Sequence, residues 1–118
     1  MTPDPARFAD DWAAGWNAHD LDRIMAHYAD DIVFRSRKAA ALVGSGTVRG
    51  KSALRAYWAA ALARQPDLHF SVECVYSGHE VIVIAYRNHK GVRAAETLCF
   101  GPDGLVTDAS AAHAEGPA

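Results

Sequence analysis

One glutamate stands in a stretch that is otherwise small and apolar along one face. Arg93 to His113 reads RAAETLCFGPDGLVTDASAAH. It is two β-type runs folded back through Gly101-Pro102-Asp103-Gly104, residues suited to a tight reversal. Side chains alternate along a strand, so Ala94, Glu96, Leu98 and Phe100 share a face. If Phe100 faces Leu105 across the loop, Glu96 falls opposite Ala109, and Thr107, Ala109, Ala111 and His113 complete that surface. A carboxylate among such neighbours loses its water. This penalises the ion and raises its pKa toward the range where a side chain can take and return protons at neutral pH. Glu96 is therefore the candidate catalytic residue. His113, inward by parity, is a candidate partner for it or a cap for a pocket mouth. The plainer alternatives are a structural glutamate satisfied by Trp12, Trp16 or His113, and a histidine in a frayed terminus.

Other side chains with chemistry to offer are weaker signals. Trp12, Trp16, Tyr28, Phe34, Trp58 and Tyr86 are the large aromatic groups available to wall a cavity, with plain core packing the alternative for each. Ser36 has no adjacent histidine in the sequence and is not an activated nucleophile. Arg35, Arg37, Lys38, Arg49 and Lys51 place five positive charges around residues 35–50, which suits either a basic rim attracting an anionic ligand or a solvated loop. GSGTVRGKS, residues 44–52, approaches a phosphate-binding loop. Counting back from Gly50-Lys51-Ser52, however, the required first glycine falls on Ser45, and no parallel βαβ unit surrounds it. His79-Glu80, His19-Asp20 and His89 sit in turns and make no ligand set, so neither a metal nor a cofactor is expected.

Positioning these groups requires helices first and strands after. Asp4 and Pro5 suit the start of a helix on which Phe8, Trp12 and Trp16 recur at spacing four. Asp20 caps a second, shorter helix with Leu21, Ile24, Met25 and Tyr28 on one face. Ile32-Val33-Phe34 is a strand. Residues 35–50 read as a long loop with at most a short strand at Thr47-Val48. A third helix runs from Gly50-Lys51-Ser52 to about Ala63, with Leu54, Tyr57, Trp58, Ala61 and Leu62 apolar, and Gln65-Pro66-Asp67 ends it. Four strands follow. Leu68 to Tyr76 alternates and should be half-exposed, Val81 to Tyr86 looks covered on both faces, and the opening pair completes a meander. This order predicts one α+β domain over residues 1–118, with helices on one face of a sheet.

Bulk properties exclude several classes. The chain has 118 residues, a net charge of −2, half its residues hydrophobic and 22% charged. That is one soluble core with no general attraction to nucleic acid or anionic membrane. Cys74 and Cys99 lie in apolar runs and read as buried free thiols of a reducing compartment. MTPDPARFADDW is not a signal peptide and no run reaches membrane-spanning length, so a cytoplasmic protein is expected.

WAAGWNAHDLDRIMAHYADDIVF, then VRGKSALRAYWAAAL, then a meander with GPDGLV between its last strands, resemble the nuclear transport factor 2-like superfamily. Within it they are most similar to the SnoaL-like branch of small polyketide cyclases. The resemblance runs from about Phe8 to His113. It implies a cone in which a curved antiparallel sheet wraps three N-terminal helices, with a hydrophobic pocket at the open end and a homodimer through the outer sheet face. Arg93, Ala95, Thr97 and Cys99 opposite Asp108, Ser110 and Ala112 are small or mildly polar, as a face covered by a second copy would be. Ketosteroid isomerase shares the implied fold. Its oxyanion tyrosine falls on Trp12, its general base on Ser36 and its neutral donor acid on Glu96, so its shuttle between carbons lacks a base here. The Asp-Arg-Asp set of the related limonene epoxide hydrolase is also missing. Two readings stay open. One is a cofactor-independent isomerase, cyclase, dehydratase or hydrolase acting on a small apolar molecule through Glu96. The other is a non-catalytic ligand-binding or dimeric interaction domain.

Overall fold

Local signals start and stop each helix in the computed structural model, which describes residues 2–115. Helix α1 (Pro5–Asn17) has proline in its first turn, and the Asp4 carboxylate accepts from the Arg7 N–H at 3.0 Å, filling one orphan donor of the helix start. Its buried stripe contains Phe8, Trp12 and Trp16, as their spacing predicts. Helix α2 (Leu21–Met25), capped by Asp20, ends earlier than expected. Tyr28 opens strand β1 (Tyr28–Arg35) instead and is wholly buried there. Strands on both sides of β1 claim its backbone, and that tertiary pairing outweighs the helical spacing.

Residues 35–50 depart furthest from expectation. The supposed loop contains helix α3 (Arg37–Val43) and strand β2 (Thr47–Arg49). Ser36 Oγ accepts from the Lys38 N–H at 3.2 Å, and Gly44 ends the helix in the left-handed conformation at φ +83°, a place where only glycine is unstrained. With α4 (Lys51–Arg64) the described residues thus hold four helices rather than three.

The remaining strands are β3 (Ser71–Gly78), β4 (Val81–Arg87), β5 (Arg93–Phe100) and β6 (Val106–His113). Together the strands form one curved, unclosed sheet in the order β2-β1-β6-β5-β4-β3. The meander β3 to β6 is antiparallel as expected. β6, however, returns beside β1 in the same direction, so the sheet is mixed, not wholly antiparallel. The α+β class holds, with α1 packed on β3 and α4 on β1.

The β5–β6 register also differs from the simple reversal. Gly101 N donates to Leu105 O at 2.8 Å, which sets Phe100 opposite Val106 rather than Leu105. A bulge then absorbs Thr107, and Cys99 meets Asp108. Loop and bulge each add one residue, so Glu96 faces Ala111 instead of Ala109. The two shifts preserve parity. Ala109 stays on the inward face, while Val106 takes the buried place expected for Thr107.

β4 alternates buried and half-buried residues rather than being covered on both faces. β3 begins only at Ser71 and is exposed along nearly its whole length, as an edge strand can be. Cys74 is exposed and Cys99 half-buried, not buried as expected, because register puts Cys74 beside Ala85 and Cys99 beside Val81 on the outer face. The core lies inside the curve. Leu54, Ile82, Ile84 and Leu98 are fully buried, each contributing about 1.5–3 kcal/mol. No helix among the described residues is long and apolar enough to cross a membrane.

Candidate functional site

The concave side of the sheet and the facing sides of α1 and α4 enclose a cavity of about 70 Å³. Its wall is an aromatic chain. Trp12 stacks on Phe70 with ring centroids 5.4 Å apart and meets Tyr86 edge-on at 5.1 Å. Trp16 stands edge-on to Trp58 at 5.0 Å, and Trp58 in turn to Phe34 at 5.3 Å. Edge and offset contacts of this kind lock ring orientations, so the wall is stiff.

Glu96 projects from the middle of β5 into this enclosure and is 4% exposed. Burial pushes its carboxyl up to about 8, partly offset by a hydrogen bond from Tyr86. Three phenols surround it and feel its charge. Tyr86 is driven far above its ordinary range by burial first and then by Glu96. Tyr28 is raised by burial and then by Glu96. Tyr57 is raised mainly by burial, with a hydrogen bond from Ser36 acting the other way. All three therefore stay protonated near neutral pH and can act only as neutral hydrogen-bond groups.

Two indole donors add to this set. Trp12 Nε1 and Trp16 Nε1 are buried without a partner, as is the Tyr28 hydroxyl. The Trp12 indole acts on that hydroxyl to lower its pKa, against the larger effects of burial and Glu96, without completing a well-formed hydrogen bond. An orphaned buried donor costs about 1–3 kcal/mol, so the site carries a standing demand for acceptors.

Of the expected wall, the structure brings Trp12, Trp16, Phe34, Ser36, Trp58, Tyr86, Ala111 and His113 to the cavity with Glu96. Tyr28 and Ala109 are buried behind it. Tyr28 packs edge-on against Trp58 at 5.0 Å, and Ala109 pairs with Leu98. Lys38, one of the charges expected for a basic rim, does line the cavity, while Tyr57, Phe70, Gln65 and Asn88 line it without having been expected to. Tyr57 was legible, since it shares a helix face with Leu54, Trp58 and Ala61. Gln65 and Asn88 carry no periodic signal. His113 is held below its ordinary value by burial first, then by the charges of Lys38 and Arg37. Among the described residues no group of three or more His, Cys, Asp or Glu is placed to hold a metal.

A SnoaL-like domain pattern matches residues 9–113. The chain belongs to the SnoaL-like family. It is similar to a SnoaL-like protein of unknown function from Burkholderia thailandensis, with 42% identity and a TM-score of 0.89 over 94% of this chain and 95% of that one. More distant members share the SnoaL-like fold at 13% identity. A provisionally named polyketide cyclase from Sinorhizobium meliloti has a TM-score of 0.74, covering 90% of this chain and 94% of that one. A provisionally named isomerase from Agrobacterium tumefaciens has the same TM-score, covering 93% and 97%. No curated protein matches the sequence significantly.

Proposed function

We propose that this SnoaL-like protein binds a small carbonyl compound in its cone pocket and moves a proton on it with Glu96, as a cofactor-independent isomerase or cyclase does. The observation that carries this reading is a fully buried glutamate on the wall of a cavity, with its carboxyl raised to about 8. At that value both protonation states are accessible near neutral pH. As carboxylate, Glu96 takes the proton from the carbon beside the carbonyl, becoming the acid while an enolate forms. The enolate oxygen is stabilised by wall donors, for which Trp12, Trp16 and Tyr57 are the available groups. Returning the proton to another carbon completes an isomerisation. Attack of the enolate carbon on a second carbonyl, with Glu96 protonating the new alkoxide, completes a ring closure. The structural neighbours provisionally named as a cyclase and an isomerase fall in this reaction class. A steroid-type shuttle is not proposed, because Ser36 takes the place of the base and is occupied as the cap of α3.

The test is hydrogen–deuterium exchange at the methyl group of acetophenone in D2O, followed by NMR. Wild type should accelerate exchange, and Glu96→Gln should lose at least about 100-fold of that acceleration. Undiminished exchange in the variant would remove Glu96 from the chemistry.

A non-catalytic binding domain is the second reading, favoured by Glu96 being the sole carboxylate on the cavity wall among the described residues. Acetophenone binding without exchange supports it. In either case we propose a homodimer through the outer sheet face, where Tyr76, Val83, Ala85, Ala95 and Thr97 form a surface with few charges.

A further inference from the structure

The mouth of the cavity carries positive charge that no acidic side chain among the described residues answers. Lys38, Gln65, Asn88 and His113 line it. Arg37, close by, is paired with Glu115 at 2.9 Å. Neither Lys38 nor Lys90 has an acidic side chain within ion-pair distance among the described residues. Burial first, and then the charge of Lys90, holds the Lys38 ammonium below its ordinary value. An anion seated against Lys38 at the mouth answers that unpaired charge. Asn88 adds to the bias. Its Oδ1 accepts from Lys90 N at 2.9 Å and from Val92 N at 3.0 Å, so its side-chain NH2 donors remain for a ligand. Deeper in, the orphaned indoles of Trp12 and Trp16 offer donors again.

From this juxtaposition, and resting on the pocket reading above, we infer that the ligand is a small keto acid. Its carboxylate is held at the mouth by Lys38 and the Asn88 amide, and its carbonyl oxygen lies among the donors around Glu96.

The experiment is calorimetric titration with 4-acetylbenzoate and with its neutral isostere 4-acetylbenzamide, at pH 7 and low salt. Wild type should bind the acid about tenfold more tightly than the amide. Lys38→Gln, a change at an exposed side chain, should bind the two with equal affinity, and Lys38→Arg should restore the preference. Equal binding of both probes by wild type, a preference that survives Lys38→Gln, or no binding of the acid overturns the inference. Acetophenone, which keeps the ring and ketone but lacks the acid, separates this from the broader reading. If it binds while the acid has no advantage, only the keto acid inference falls. If it also fails to bind, the pocket reading falls with it.

Discussion

Glu96 is the residue on which burial and chemistry pull in opposite directions. Its folded-state value of about 8 lies above the ordinary 4.5 because desolvation disfavours the ion. The folded protein therefore binds a proton more tightly than the unfolded chain. The favourable contribution is complete below pH 4.5 and is lost as pH rises through about 8. Glu96→Gln, which cannot ionise, should gain thermal stability relative to wild type as pH rises from 5 to 9. The gap should reach on the order of a few kcal/mol, and parallel melting curves across that range would remove the burial argument. Tyr86→Phe should shift the Glu96 titration, followed by carboxyl-carbon NMR, further upward, because the phenol's hydrogen bond lowers it. Should Glu96 act as the base, the rate should rise with pH to a plateau above about 8. That this acid would be inward and desolvated was legible from alternation alone. Its real cross-strand neighbour was not, because a bulge at Thr107 leaves no mark in hydrophobic pattern.

At the scale of elements, the connections carry more than their sequence suggests. Asn17, at the end of α1, grips the chain before β3 with both ends of its amide. Nδ2 donates to Phe70 O at 2.9 Å, and Oδ1 accepts from Phe70 N at 2.7 Å. His19 Nε2 donates to Leu68 O at 2.9 Å beside it. These bonds hold Leu68 and Phe70, two pocket residues, outside the regular strand. Asn17→Ala should cost about 1–3 kcal/mol in urea unfolding and loosen the aromatic wall, read as faster amide exchange at Phe70. Unchanged exchange there would mean that ring packing alone fixes the segment. The helices and the meander were legible because apolar spacing and caps announce them. The α3 segment was not, since RKAAALV is short and its face shows no apolar stripe, only Ala39 being buried. What makes it a helix is a serine cap, a terminal glycine and the pairing of β2 that follows.

For the whole molecule, the outer sheet face offers an expectation about assembly. Tyr76 is 59% exposed on edge strand β3, in register with Val83 on β4. Tyr76→Glu should leave the fold intact and halve the mass seen by sedimentation velocity if two copies pack there. An unchanged mass would exclude that face as the interface. The strand order also bears on how the protein comes to exist. β6, the last of the described strands in chain order, is not an edge: it lies between β1 and β5. The pairing of β1 with β6 joins residues such as Phe34 and Ala109, so synthesis must run through Ala109 before the sheet can be joined. Long-range pairing of this kind slows folding. Until β6 emerges from the ribosome, β1 and β5 each wait with an open edge. A nascent chain stalled before Val106 would have two half-sheets, a pocket without Ala111 and His113, and strand edges free to pair with other chains.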